Sequence, residues 1–302
     1  MKKFVSVALA ATMALSLVAC GGSAPSAATS TASSAASAAS GKGGTIKVGV
    51  LANTSGDYAI YGNAVKNGVM LYINEINGKG GVNGKQIEIV DYDYKGDPTQ
   101  AVTAATAAGV TVLDPEDPNS EVRTNVFRSC FIDPFQGEKM AEYASQELGA
   151  KTAAVIFETG NDYSEGLKNA FVDKCKELGI EVVSEEAYTK GDVDFKAQMT
   201  TITGKNPDVV FCPNYYQDDG NIVKQARAAG YTGTFMGGDG WGGVAGYASA
   251  EELEGSVYCS GYAAGTDDVK TFETAYKDAY GEDVPNMFAP LGYDAAMLMC
   301  NA

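Results

Sequence analysis

Asp208–Gly242 reads DVVFCPNYYQDDGNIVKQARAAGYTGTFMGGDGWG. Asp208–Cys212 follows Pro207 as a short apolar run, the pattern of a buried parallel strand. Gln217–Ala229 carries apolar residues at Ile222, Val223, Ala226 and Ala229, a stripe of helical period, and Gly230 stops it. Thr234–Met236 is the next strand. Strand, helix and strand form one βαβ unit, whose two strands point their carboxyl ends the same way. Those ends run into polar loops: Asn214-Tyr215-Tyr216, then Gly238-Asp239-Gly240-Trp241. In open α/β sheets, ligands sit outside the carboxyl ends of the strands. The stretch therefore predicts two tyrosines, a carboxylate and the chain's single tryptophan on one rim.

The same alternation extends in both directions. Before this unit come strands over Thr124–Phe131, Thr152–Phe157 and Glu181–Tyr188, and helices over Phe135–Leu148, Ser164–Leu178 and Asp194–Thr203. After it come a short helix over Ala250–Gly255, a strand over Ser256–Ser260, and helices over Val269–Tyr280 and Asn286–Ala302. At the other end, Ile46–Leu51 is a buried strand and Asn53–Gly62 a polar loop holding Tyr58 and Tyr61. Asn63–Ile76 is a helix and Ile87–Tyr94 a strand. Asp97 caps a further helix with Pro98 near its first position, and Val110–Leu113 reads as a short strand. Strand–helix alternation throughout predicts an α/β fold of mostly parallel sheets with helices on both faces.

The 302 residues suffice for two domains or one large one, and 45 % hydrophobic content supports a sizeable core. A net charge of −16 argues against nucleic acid and anionic membrane surfaces as direct partners. The chain has no histidine, the commonest general base and metal ligand, so an enzyme is the least favoured class. None of the six cysteines forms a CxxC pair, and all but Cys20 read as mostly buried apolar residues. Gly237–Gly243 is glycine-rich but lacks the Lys-Ser/Thr of a phosphate cradle.

Residues 1–19 have a Lys2-Lys3 start and an apolar run too short to span a bilayer, the pattern of a signal peptide. The segment ends Leu17-Val18-Ala19-Cys20, which resembles the lipobox of bacterial lipoproteins. That resemblance implies cleavage before Cys20, lipidation of Cys20 and a lipid-anchored, extracytoplasmic protein. Each buried CH₂ of an acyl chain contributes about 0.8 kcal/mol of anchoring. Gly21–Gly44 is rich in Gly, Ser, Ala and Thr and lacks large apolar residues. It reads as a flexible linker of roughly 25 Å r.m.s. span.

Six motifs now stand in order: residues 48–93 (VGVLANTSGDYAIYGNAVKNGVMLYINEINGKGGVNGKQIEIVDYD), FIDPFQG, GNDYSEGLKNAF, NPDVVFCPNYYQDDGNIVKQARAAGY, FMGGDGW and LGYDAA. Together they resemble the branched-chain amino acid (Leu/Ile/Val)-binding proteins of ABC importers, over nearly all of Thr45–Ala302. The resemblance implies a two-lobe type I periplasmic-binding-protein fold with a cleft that closes on ligand. Lobe 1 would hold residues 45–132 plus 259–302, and lobe 2 residues 133–258. The implied partners are a small amino acid, an ABC permease with its ATPase, and the membrane through the lipid anchor. No cofactor and no metal are implied, and a monomer is expected.

Ligand residues carry over one by one. Tyr61 matches the loop aromatic that covers the ligand from lobe 1. Tyr163 matches the tyrosine before the Ser-x-Gly helix start, and Tyr215 the one after the next lobe 2 strand. Asp239 matches the acid that pairs with the ligand ammonium, a position where many relatives carry Glu. Phe288 matches an apolar wall. Trp241 either lines the cleft beside Asp239 or packs as an interface tryptophan. Asp91 and Asp93 share one strand face, as a metal pair would, but the resemblance makes them edge residues. The chemistry fits these roles: a zwitterion losing water in a closed cleft needs a fixed carboxylate for its ammonium, and its aliphatic side chain gains about 1.5–3 kcal/mol when buried.

The chain also departs from the pattern. Thr99–Thr106 runs directly into Ala107–Leu113, so about 40 residues, roughly one βαβ unit, are expected to be missing from lobe 1. The missing loops would bind the ligand carboxylate, and Thr106 is placed to stand in for them. The chain stops at Ala302 inside a helical pattern, so lobe 1 is expected to be incomplete. The alternative reading is a non-transport ligand-sensing module or a truncated, binding-defective relative.

Overall fold

The computed structural model describes residues 44–95 and 120–302. The expected features at Cys20, Pro98, Thr106 and Val110–Leu113 lie outside these residues, as do the signal peptide and linker. The chain enters through β1 (Thr45–Ala52), α1 (Ala59–Gly78) and β2 (Gln86–Asp93). β1 and β2 pair in parallel from Thr45–Gln86 to Ala52–Asp93, with α1 as the crossover. Val50 and Ala52 turn inward beside Ile87, and they meet Val69 and Ile73 of α1. The sequence reading placed Tyr61 in a loop, but α1 begins at Ala59 and carries Tyr61 in its first turn.

The second sheet has five parallel strands in the order β4-β3-β5-β6-β7. Its elements follow one another as α2 (Asp133–Gln146), β3 (Thr152–Glu158), α3 (Asp162–Leu178), β4 (Glu181–Tyr188) and α4 (Lys196–Lys205). Then come β5 (Val209–Cys212), α5 (Tyr216–Ala228), β6 (Thr234–Gly237), α6 (Ala250–Leu253) and β7 (Val257–Tyr258). Side chains alternate across a pleat with period two, and the core divides accordingly. Ala154 and Ile156 of β3, Val210 and Cys212 of β5, and Phe235 of β6 join Met199, Ile202, Ile222 and Val223 from α4 and α5. Their neighbours Ala153, Val155, Val209, Phe211 and Met236 join Met140, Leu167, Phe171 and Cys175 from α2 and α3. The continuous apolar runs of β3 and β5 follow from this burial on both faces. Of the five described cysteines, Cys175 and Cys212 are buried, whereas Cys130, Cys259 and Cys300 are half-buried, and all are unpaired.

Two expected strands differ. Thr124–Phe131 forms turns and bends instead of a strand. Arg123 accepts a turn bond from the Val126 N–H, and Ser129 donates to Leu291 O. These bonds are local or run to a helix, and among the described residues the segment joins no sheet. Ser256–Ser260 shrinks to the two residues of β7, although it still extends the second sheet to a fifth strand.

α7 (Lys270–Tyr280) and α8 (Phe288–Asn301) return the chain to the first sheet. α8 crosses α1 at backbone contact. A Cβ on Gly68 would lie 1.9 Å from Ala289 O, and one on Gly292 would lie 2.3 Å from Val65 O. A methyl group here has to push the helices apart, so Gly68→Ala is expected to destabilise the protein by about 1–3 kcal/mol. Urea unfolding measures this, and an unchanged midpoint would mean that the crossing is loose. Among the described residues no helix is long and apolar enough to cross a membrane.

Candidate functional site

The carboxyl ends of β3, β5 and β6 each deliver one part of a polar cluster. After β3, Asn161 caps α3 by accepting the N–H groups of Tyr163 and Ser164, which fixes Tyr163 in the first turn. After β5, the buried Asn214 ties the strand ends together. Its Oδ1 accepts from Glu158 N (3.1 Å) and Ser164 Oγ (2.9 Å), and its Nδ2 donates to Ile156 O (3.0 Å) and Asp219 Oδ1 (3.1 Å). After β6, Asp239–Trp241 forms a tight 3-10 turn. Gly240 is required there, because a Cβ would stand 2.3 Å from Asn214 O and 2.9 Å from the Tyr163 hydroxyl.

Tyr163, Asp239 and Gly240 form one hydrogen-bonded unit. The Tyr163 hydroxyl donates to Asp239 Oδ1 at 2.9 Å and accepts the Gly240 N–H at 2.9 Å. Tyr61, arriving from α1, donates its hydroxyl to Gly240 O at 2.6 Å. One residue is thus held through its N–H from α3 and through its C=O from α1. Asp239 is only 3 % exposed. Burial raises its carboxyl above the usual range, and the hydrogen bond from Tyr163 and the dipole of the nearby Gln136 amide oppose that shift. Burial also raises the hydroxyls of Tyr61, Tyr163 and Tyr215, so they stay neutral donors.

Rings surround this unit. Tyr163 stacks on Tyr215 with centroids 5.1 Å apart, and Tyr58 meets Tyr215 at 4.4 Å. Tyr61 lies 4.9 Å from Phe288 and 5.3 Å from Tyr216, edge-on to the latter. The structure therefore brings together five of the expected residues: Tyr61, Tyr163, Tyr215, Asp239 and Phe288. Trp241 differs from the cleft-lining reading. It is 1 % exposed, packs in the core of the second sheet, and donates its indole N–H to Cys212 O at 2.9 Å. A ring of that size needs a dry cavity and an acceptor, and the core under β5 supplies both. Asp91 pairs with Lys66. Asp93 accepts from the Ser55 hydroxyl and from the Lys95 and Thr54 N–H groups, which hold it down to about 2.

Sequence reading missed four participants. Gln136 of α2 is fully buried and accepts the Asp239 N–H at 2.8 Å. Tyr58 sits beside Tyr61 but was given no role. Tyr216 and Gln217 both donate to Asp57 O, at 2.7 and 2.5 Å, and join the two halves beside the site. Gln136 stood in the FIDPFQG motif and Tyr216 in the rim triplet, yet neither spacing reveals a partner 100 or more positions away.

Asp219 is a second buried acid, fully enclosed beneath the site with Oδ2 unbonded among the described residues. Burial raises its carboxyl well above the usual range. A raised group contributes its stability below the unfolded value, and loses it as pH rises through the folded one. Asp219→Asn keeps the bond from Asn214 and removes the charge. It is expected to raise Tm by a few degrees at pH 8, with the gap closing toward pH 4; calorimetry at both pH values checks this.

Comparison with known proteins places this geometry. The profile of a family described as periplasmic binding protein matches residues 45–109 and 104–302. The break between the two pieces falls where the sequence reading expects missing residues. The Leu/Ile/Val-binding protein BraC3 of Rhizobium johnstonii is 31 % identical over 226 residues, 65 % of this chain and 61 % of that protein. The chain spans about three fifths of the length of the curated relatives it matches. LivJ of Streptococcus pneumoniae, a branched-chain amino acid transporter substrate-binding protein solved with isoleucine, superposes with a TM-score of 0.74 at 33 % identity, over 85 % of this chain and 83 % of that one. The leucine-binding protein LivK of Thermotoga maritima gives 0.72 at 30 %, over 85 % and 82 %.

Proposed function

The chain belongs to the periplasmic binding protein family, and on that premise we propose that it is the solute-binding component of an ABC importer for a branched-chain or related amino acid. The observation that carries this reading is the convergence on Gly240: Tyr61 reaches its carbonyl from one half, and Tyr163, itself bonded to Asp239, accepts its N–H from the other. Asp239 takes the ligand ammonium. Tyr61, Tyr163, Tyr215 and Phe288 wall the ligand side chain.

Residues 45–132 with 259–302, and residues 133–258, act as the two lobes. Closure is a hinge motion, and ligand drives it by contacting both lobes at once in the closed form only. The protein works outside the cytoplasm as a monomer, anchored by a lipidated Cys20, and hands its ligand to the permease and ATPase. It binds and releases, and performs no chemistry on the ligand.

A thermal-shift series with leucine, isoleucine, valine and other small amino acids tests the reading. Ligand at 100 times Kd is expected to add about 2.7 kcal/mol. A series without any shift would overturn amino acid binding and leave a sensing or binding-defective relative.

A further inference from the structure

Gln136 is a neutral residue buried completely between α2 and the Asp239 turn. The seat is rigid. Pro134 opens α2, and Gly137 brings that helix so close to α3 that a Cβ would lie 2.4 Å from Leu167 O. The amide can have only one orientation. A main-chain N–H donates, so the atom 2.8 Å from Asp239 N must be the carbonyl Oε1. The NH₂ on the same planar group is then set within the surroundings of Asp239, and Nε2 is buried with no hydrogen-bond partner among the described residues. A buried donor left unpaired is destabilising, so its retention beside an acid points to a use.

We infer that Gln136 is a positioning residue for ligand capture: its carbonyl pins the backbone at Asp239, and its NH₂ is the donor reserved for the Asp239 carboxylate. This rests on the proposed role of Asp239 as partner of a ligand ammonium. A cation is attracted only by the ionised acid, and burial works against that form. Beyond the hydrogen bond from Tyr163, the side chains facing Asp239 give little other help. Tyr61 of α1, Tyr163 of α3 and Tyr215 at the start of α5 are neutral hydroxyls. Cys130 and Cys259 are thiols whose ionisation Asp239 opposes, and Asp133 of α2 also bears on Cys130. Among the described residues the cation nearby is Arg128, which acts on Cys130. The Tyr163 hydroxyl already serves both Asp239 Oδ1 and the Gly240 N–H. After Tyr163 the Gln136 amide is the next side-chain dipole that favours the charged acid, ahead of the backbone N–H groups of Gly240 and Asp239.

The test is a carbon-13 NMR titration of the aspartate carboxyls in the ligand-free protein, with Asp239→Asn identifying the resonance. Gln136→Met, close in shape but without the amide, is expected to raise the Asp239 midpoint by about one pH unit. Gln136→Glu, which keeps an acceptor but loses the donor, is expected to raise it further. Leucine affinity of Gln136→Met should fall about tenfold near pH 6 and approach wild type at high pH. An unmoved midpoint, or a loss of affinity equal at every pH, would reduce Gln136 to packing and overturn the inference. Should both variants fail to fold, the wild-type side-chain NH₂ signals of Gln136 decide: they are expected to titrate with Asp239, and flat signals overturn the inference. If wild type binds no amino acid, the proposed function fails while the titration still judges Gln136.

Discussion

Asp239→Asn is expected to weaken amino acid binding severely while making the ligand-free protein more stable. The two signs come from one fact. Asp239 is buried, and its ionised form is disfavoured by that burial. Asparagine retains the oxygen that accepts from Tyr163 and removes the charge. In the free protein this relieves a penalty. As with any raised group, that penalty is absent below the unfolded value and grows as pH rises through the folded one, so Tm gains most above neutrality. In the complex the same change leaves a desolvated ammonium unpaired, at about 2–5 kcal/mol, or roughly 30-fold to several thousand-fold in Kd. Isothermal titration with leucine, isoleucine and valine, alongside calorimetry, reads both. A variant with higher Tm and wild-type affinity would remove Asp239 from the ligand. Wild-type affinity is also expected to decline on the acid side, where Asp239 gains its proton.

Trp241 carries the second large effect, and it falls on stability. The ring is enclosed with Ile156, Tyr188 and Phe235, and its N–H satisfies Cys212 O at the end of β5. Trp241→Ala removes that volume from a core that cannot fully collapse, at about 3–5 kcal/mol, or roughly 6–20 °C in Tm for a body of this size. Trp241→Phe keeps most of the apolar surface and leaves the carbonyl unpaired, at about 1–3 kcal/mol. The ranking among leucine, isoleucine and valine should survive in Trp241→Phe, because the indole sits under the binding turn and not on its wall. An altered ranking, or a phenylalanine variant as unstable as alanine, would contradict this placement.

The two residues differ by two positions and by every physical consequence. Asp239 faces Tyr163 of α3, and Trp241 faces the sheet core. The 3-10 turn between them sends successive side chains in different directions, which a linear reading of a glycine-rich bend does not reveal.

Much of the architecture was legible in the chain alone. Apolar runs bounded by glycine and proline marked β1, β3, β5 and β6, and helical stripes marked α1, α3, α5 and α7, because burial of periodic side chains is a local pattern. The resemblance then carried Tyr61, Tyr163, Tyr215, Asp239 and Phe288 to positions that meet in space. Only the tertiary structure decided the rest. Thr124–Phe131 had a strand's composition, yet among the described residues it joins no sheet. Gln136 had a neutral side chain and acquired its meaning from Asp239, 103 positions along. Tyr216 and Gln217 found Asp57 across the junction, and Trp241 found Cys212 beneath it. Periodicity records which face of an element is dry. Which partner waits there depends on how separate elements pack, and that information resides in no single stretch of residues.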